Sequence, residues 1–278
     1  MPELPEVETV CRGLAQSLLG AKIFSAEAFA PKLRIEIPQN LNSKLKNKII
    51  NSINRKAKYI LIDLEDVVII AHLGMSGRMT IQEQESFVRK KHDHIVIELK
   101  LKNGEEKYLV LNDPRRFGIF TLSSVEDIAK HKLFSKLGLE PFSEEFSWQA
   151  LKKICEKRTK NIKATIMDSS LIVGVGNIYA CECLFRAGIH PERAAESLTV
   201  KEIKKLYGEI IKTLKEAIAA GGSTLKDYSK ANGESGYFQF NFKVYGKEAQ
   251  PCPTTCGAKI LRIVQNNRST FYCNKCQS

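Results

Sequence analysis

The chain has 278 residues, room for two domains at roughly 100 to 200 residues each. Hydrophobic residues make up 43% and charged residues 27%, which excludes a disordered or fibrous chain. Lys and Arg number 43 against 31 Asp and Glu, a formal net charge of +12; a polyanion would relieve the resulting self-repulsion, although charge alone fits a merely soluble basic protein equally well.

Glu3, Glu6 and Glu8 stand where a signal peptide would carry its basic region. No run approaches the roughly 18 apolar residues that span a bilayer. These features predict a cytoplasmic protein with no membrane partner. The eight cysteines are then read in a reducing compartment, where a tight cluster points to metal rather than disulfides.

In chain order, Val7, Val10, Cys11, Leu14 and Leu18 share one helical face, and Gly20 supplies a stop. From about residue 24 to 122 the period becomes two. Residues 59–64 and 67–73 form a hairpin across Glu65-Asp66, and Asn103-Gly104 turns the Ile95–Leu101 strand into Tyr108–Leu111. This half reads as an antiparallel β-sandwich. Residues 126–147 contain Gly138, Pro141 and several acids, and read as a hinge. The period beyond is helical. Thr199 and Glu202 make a capping box, with Leu198 and Ile203 placed as its hydrophobic staple, and the helix runs to Gly221-Gly222.

The run Gly174-Val175-Gly176-Asn177-Ile178-Tyr179-Ala180 lies between a helical pattern at Lys163–Met167 and another at Ile178–Ala187. Asn177 is expected to cap the second helix. Its N-terminal amides, with Lys163, would receive a phosphate. A glycine turn that only permits close helix packing is the competing reading.

The last forty or so residues have too few apolar positions for a core and need a metal to fold. Cys252, Cys256, Cys273 and Cys276 read C-x3-C, sixteen residues, C-x2-C, the spacing of a four-thiolate zinc site. Four protein ligands leave no open position, so one structural Zn2+ is expected. Cys11, Cys155, Cys181 and Cys183 read as small buried apolar residues. Arg262, Asn266, Asn267 and Arg268 are assigned to the intervening hairpin, for phosphate contact or for simple solvation.

The start, Met1-Pro2-Glu3-Leu4-Pro5-Glu6, resembles bacterial formamidopyrimidine-DNA glycosylases, and the resemblance runs the whole chain. It continues through Lys58-Tyr59, His72-Leu73-Gly74-Met75-Ser76-Gly77, His92-Asp93-His94 and Asn112-Asp113-Pro114-Arg115-Arg116-Phe117-Gly118. The Gly-Val-Gly-Asn-Ile-Tyr-Ala turn, Gly221 to Leu225 with Asp227-Tyr228, and the terminal cysteines complete it.

The resemblance implies an α+β fold of two domains: an N-terminal catalytic β-sandwich flanked by helices, and a C-terminal helix-two-turn-helix domain with a zinc-finger hairpin. The divisions are 1–130, a hinge at 131–148, the helical domain with a lesion-capping loop at 149–240, and the finger at 241–278. The implied activity is excision of oxidised purines (8-oxoguanine, formamidopyrimidines) opposite cytosine, with strand cleavage by β,δ-elimination. The implied partner is double-stranded DNA carrying such lesions or abasic sites, bound by a monomer at the bacterial nucleoid.

Removal of Met1 would leave Pro2 as a secondary amine, and α-amino groups titrate near about 7.7 to 8.0, so part is nucleophilic at neutral pH. Glu3 is the implied acid/base, and Lys58 assists at the reaction centre. Met75, Arg115 and Phe117 match residues that fill the void left by a flipped nucleotide, with Arg115 facing the orphaned base. Core packing is the alternative for Met75. Lys163, Asn177 and Arg268 match a phosphate clamp, Arg268 also as proton donor in δ-elimination, and His92 adds a backbone contact. Glu6, Ser223, Thr224 and Tyr228 belong to the lesion pocket.

Two departures stand out. The first cysteine pair encloses three residues rather than two, predicting a looser knuckle, and Ser169 replaces a glutamine at an expected packing position. The sister enzyme for oxidised pyrimidines usually begins Pro-Glu-Gly-Pro and lacks Arg-Arg-Phe-Gly. A non-catalytic DNA-binding scaffold is opposed by intact Pro2, Glu3 and Lys58.

Overall fold

A computed structural model describes residues 2–223 and 237–278. The chain divides into two compact units, Met1–Ser135 with Ala220–Gln239, and Lys136–Ala219 with Phe240–Ser278. The described residues 220–223 and 237–239 cluster with the first unit.

In the first unit, α1 (Leu4–Leu18) opens with a capping box and a proline in its first turn. Its face of Val7, Val10, Cys11, Leu14 and Leu18 is buried, as the spacing predicts. Then follow β1 (Lys22–Ala28), α2 (Leu41–Leu45), β2 (Ser52–Lys56), β3 (Tyr59–Asp63), β4 (Val67–His72), β5 (Arg78–Glu83), β6 (Asp93–Lys100), β7 (Glu106–Asn112) and β8 (Ile119–Ser124). They form two four-stranded antiparallel sheets, ordered β1-β6-β7-β5 and β2-β3-β4-β8. Both expected hairpins are present, with Lys100 opposite Glu106 and Asp63 opposite Val68. One core gathers the α1 face with Ile23, Ile60, Ile62, Ile97, Leu111 and Phe120. The short helix α2 lies inside the period-two stretch and escaped the sequence reading, because five residues show no full helical repeat.

The second unit holds α3 (Trp148–Cys155), α4 (Ile162–Ile166), α5 (Asn177–Ala187), α6 (Val200–Ala219), β9 (Leu261–Gln265) and β10 (Arg268–Tyr272). Ser147 and Asn161 cap α3 and α4 by accepting from Ala150 N and Ala164 N. The capping box of α6 is present: Thr199 N–H donates to Glu202 Oε2 at 2.7 Å and Glu202 N–H to Thr199 Oγ1 at 3.3 Å. Asn177 does not cap α5. Gly176 occupies the cap, and the Asn177 side chain is engaged elsewhere. Ser169 is exposed rather than packed; its carbonyl accepts from Gly138 N–H at 2.9 Å.

The C-terminal segment has more of a core than its composition suggests. Val244, Ile260 and Phe271 pack with Cys252 and Cys273 against Cys181 and Phe185 of α5. Cys11, Cys155, Cys181 and Cys183 are buried, as expected. Among the described residues no helix is long and apolar enough to cross a membrane.

Candidate active site and nucleic-acid interface

The first cluster forms where the chain enters α1. Glu3 occupies the N-cap in extended conformation, and its carboxylate accepts from the Glu6 N–H. Glu6 Oε2 returns the bond by accepting from Glu3 N–H at 2.9 Å. Both carboxylates lie at the positive end of the helix dipole, which favours negative charge there. Both are only 2% exposed, and Pro2 beside them is buried. The other Glu6 oxygen accepts from the Ser223 N–H and hydroxyl at 2.8 and 2.9 Å.

This contact selects the adjacent glycine. Gly222 sits at φ +76°, and a Cβ there would lie 3.3 Å from the Glu6 backbone and side chain. Tyr237 N–H bonds Ala220 O at 3.1 Å and Phe238 N–H bonds Gly222 O at 2.9 Å, tying the two flanks of residues 224–236 together. Thr224 and Tyr228 lie outside the described residues.

Lys58 lies in the two-residue turn of the β2–β3 hairpin, not within a strand. Lys56 pairs with Tyr59 across it, and Ala57 takes a left-handed φ of 53°. Arg55 braces this turn by donating from Nη1 to Ala57 O at 2.8 Å and from Nε to Glu8 Oε2 at 2.9 Å. The turn bearing Lys58 is thereby fastened to α1. Nearby, the Tyr59 ring lies 4.8 Å from the His72 ring. Burial pushes the His72 pKa down to about 4, and the charges of Lys58 and Arg34 push the same way against Asp113. Its Nδ1 accepts from Gly74 N–H at 2.9 Å, so Nε2 carries the proton of the neutral ring. The sequence assigns His72 no role of its own, because its spacing along the chain carries no signal of this electrostatic setting.

Met75 is 38% exposed and Phe117 45%, which overturns the core-packing alternative for Met75. The Arg115 guanidinium stands 4.8 Å from the Phe117 ring centroid, a cation–π arrangement. Half-buried His92 lies next to this turn, its ring 6.2 Å from that of His94.

In the second unit, Lys163 is 2% exposed, more enclosed than a solvated surface cation. Its ammonium donates to Asn177 Oδ1 and Thr270 Oγ1, each at 2.6 Å. Asn177 Nδ2 donates to Ser269 O at 2.9 Å, and Thr270 Oγ1 donates to Gln265 Oε1 at 2.8 Å. Asn177 and Lys163 are thus joined directly, and both are locked to β10. Lys163 and Arg268 line one cavity of about 210 Å3, together with Lys160, Asn161 and Asn266. Arg268 starts β10 after a turn in which Asn266 and Asn267 have φ of 49° and 59°. Arg262 is not at this tip: it lies within β9, ion-paired with Glu248 at 2.8 Å.

The four cysteine sulfurs lie within 4.8 Å of one another. Cys252 Sγ is 3.8 Å from Cys276 Sγ, and Cys256 Sγ is 3.7 Å from Cys273 Sγ. A tetrahedral zinc with bonds of about 2.3 Å places sulfurs about 3.8 Å apart, so the donor set fits that ion. The first pair, with its extra residue, still brings both sulfurs into this cluster. Thr254 within it sets its hydroxyl 3.1 Å from Cys276 Sγ.

Three family models match the chain. Residues 1–120 match the formamidopyrimidine-DNA glycosylase N-terminal domain, 137–229 the H2TH domain of the same family, and 249–278 a zinc finger found in FPG and IleRS. The formamidopyrimidine-DNA glycosylase of Wolbachia pipientis subsp. Culex pipiens is 45% identical over 279 residues, with 100% of both chains covered. A crystal structure of a Lactococcus lactis FPG mutant in complex with Fapy-dG containing DNA superposes with a TM-score of 0.91 at 36% identity, covering 100% of each chain. The L. lactis Fpg complex with abasic-site DNA gives a TM-score of 0.90 at 36% identity, covering 99% of each chain.

Proposed function

The chain belongs to the formamidopyrimidine-DNA glycosylase family, and from that premise we propose that it excises oxidised purines from DNA and then cuts the strand. The observation that carries this reading is the pairing of a buried Pro2 with the buried carboxylates of Glu3 and Glu6, each accepting from the other residue's backbone N–H. Buried carboxylates beside a terminal secondary amine suit nucleophilic and acid/base chemistry on a sugar carbon.

Once Met1 is removed, the Pro2 nitrogen attacks the anomeric carbon and the glycosidic electron pair leaves with the base. Glu3 delivers a proton to the sugar ring oxygen, the ring opens, and an iminium forms with loss of the proton on nitrogen. That cation acidifies the neighbouring sugar proton, so β-elimination expels the 3′ phosphate and δ-elimination the 5′ phosphate. Lys58, braced by Arg55, assists at the first phosphate, and Arg268 serves as proton donor for the second. Water finally releases Pro2.

Met75, Arg115 and Phe117 would occupy the space left by the extruded nucleotide, with Arg115 favouring cytosine opposite the lesion. Ser223, Thr224 and Tyr228 would border the extruded base. Lys163, Asn177 and Arg268 would hold backbone phosphate, with His92 adding a contact. Cys252, Cys256, Cys273 and Cys276 would hold one Zn2+, which closes the finger that presents Arg268 and leaves no position for catalysis.

Borohydride reduction on a duplex carrying 8-oxoguanine opposite cytosine tests the reading. A covalent adduct mapped to Pro2, and absent in Pro2→Gly, is the expected outcome. Tight binding with no adduct in a chain whose terminus is sequenced as Pro2 would establish a non-catalytic scaffold instead. Preferential cleavage of an oxidised-pyrimidine duplex would reassign the substrate class.

A further inference from the structure

Asp113 is 0% exposed, and its carboxylate collects donors from two separate loops. Oδ1 accepts from the Ser76 hydroxyl at 2.8 Å and from Arg115 N–H at 3.3 Å, and Oδ2 accepts from Gly118 N–H at 2.7 Å. Its backbone is equally committed. The carbonyl accepts from Arg116 N–H at 3.2 Å and from His94 Nε2 at 3.0 Å, while its N–H donates to His92 O at 3.0 Å. Ser76 belongs to the loop that carries Met75; Arg115 and Gly118 bracket the turn that carries Phe117.

The two loops also meet backbone to backbone. Gly74 has φ +61°, and a Cβ there would fall 2.5 Å from the Phe117 carbonyl carbon. A Cβ on Gly118 would fall 2.9 Å from His72 O and 3.0 Å from Asp113 Oδ2. Contact this close is open only to glycine. Arg116 holds a left-handed φ of 55°, a conformation that a non-glycine residue keeps only where its surroundings dictate it. Its N–H bond to the Asp113 carbonyl is part of that constraint.

We propose that Asp113 is the positioning residue that joins the Met75 loop and the Arg115–Phe117 turn into one preformed wedge, and that this junction sets the preference for the base opposite the lesion. The proposal rests on the reading above that Met75, Arg115 and Phe117 enter the duplex. A functional group must be held to within about 0.5 Å to discriminate well, and an exposed arginine on an untethered turn is not. Here the turn is tethered at both ends of the arginine–phenylalanine pair, and the arginine is steadied over the phenylalanine ring. A carboxylate suits the junction because it only accepts, and three donors converge on it. An asparagine would turn an N–H toward one of them.

The test is the ratio of 8-oxoguanine excision opposite cytosine to that opposite adenine, thymine and guanine, measured for Ser76→Ala, Asp113→Asn and Arg115→Ala with thermal melting alongside. Ser76→Ala removes one hydroxyl and leaves the two backbone donors in place, so it reports even where Asp113→Asn fails to fold. A native melting curve with the cytosine preference reduced roughly 3- to 10-fold is expected for it, the effect of one hydrogen bond. A larger reduction is expected for Asp113→Asn. A merely structural role would lower melting temperature and leave the ratio unmoved. Native ratios in both variants, with Arg115→Ala losing the preference, would overturn the role of Asp113 alone. An Arg115→Ala enzyme that keeps the preference would overturn the wedge reading itself.

Discussion

Glu6 and Ser223 meet across 217 positions of sequence, the Glu6 carboxylate accepting from the Ser223 N–H at 2.8 Å and from its hydroxyl at 2.9 Å. The second oxygen of the same carboxylate accepts the Glu3 N–H at 2.9 Å. One buried side chain therefore links the segment beside Pro2 to Ser223. Glu6→Gln keeps the shape but replaces one acceptor with a donor. Charge-assisted bonds of this kind contribute about 1.5 to 3 kcal/mol each. Excision of 8-oxoguanine should fall roughly 10- to 100-fold, and cleavage of a preformed abasic site, which needs no base recognition, should fall much less. Single-turnover rates on the two substrates check this; equal losses would remove Glu6 from base recognition.

Arg268 and Lys163 line one cavity, and the Lys163 ammonium is bound to Asn177 and Thr270. Arg268→Ala should reduce the slope of log K against log salt by about 0.9, the signature of one phosphate contact. Lys163→Ala should also lower stability, by about 1 to 3 kcal/mol, because it strips a partner from the Asn177 and Thr270 side chains. Binding titrations between low and moderate salt, paired with urea melts, separate the two effects. An unaltered slope for Arg268→Ala would take that residue out of the clamp.

Cys273→Ser should abolish zinc binding, measured by elemental analysis. Cys273 is buried in the small cluster with Phe185, Val244 and Phe271, so the loss should loosen β9 and β10 and weaken DNA binding. Retention of one zinc per chain would refute the four-thiolate assignment.

His72 gives a pH prediction. Its folded pKa is depressed from 6.5 to about 4, so the native state favours the neutral ring. An unfolded chain takes up the proton below about 6.5, and the native chain does not. The stability associated with a neutral His72 is therefore present above pH 6.5 and lost as pH falls toward 4. An NMR titration should find the ring neutral at about pH 5.5, and Lys58→Ala should raise its pKa by removing a nearby positive charge. A His72 that titrates near its ordinary value of about 6.5 would contradict the packing described.

Much of the fold was legible in the sequence because it rests on local repeats. The helical face of Val7 to Leu18, the Asn103-Gly104 turn and the Thr199–Glu202 box each need only neighbouring residues. The cysteine spacing was equally direct, since a tetrahedral ion demands close pairs. One site reading needed correction, and one alternative was decided. Asn177 reads as a cap by residue type, but α5 begins one residue earlier and its amide binds Lys163 instead. Met75 keeps core packing as its alternative in the sequence, because an apolar side chain does not announce which way its loop faces, and its exposure decides against that alternative.

The sequence by itself determined the longer elements and their order, the four clustered cysteines and the motifs that identify the family, all of which follow from spacing along the chain. The tertiary structure alone decided which of these groups share hydrogen bonds. Glu6 reaches Ser223 over 217 positions, Lys163 reaches Thr270 over 107, and Asp113 reaches Ser76 over 37. Such pairings arise from how buried surfaces close on one another, and a buried polar group must find its partner wherever packing brings one.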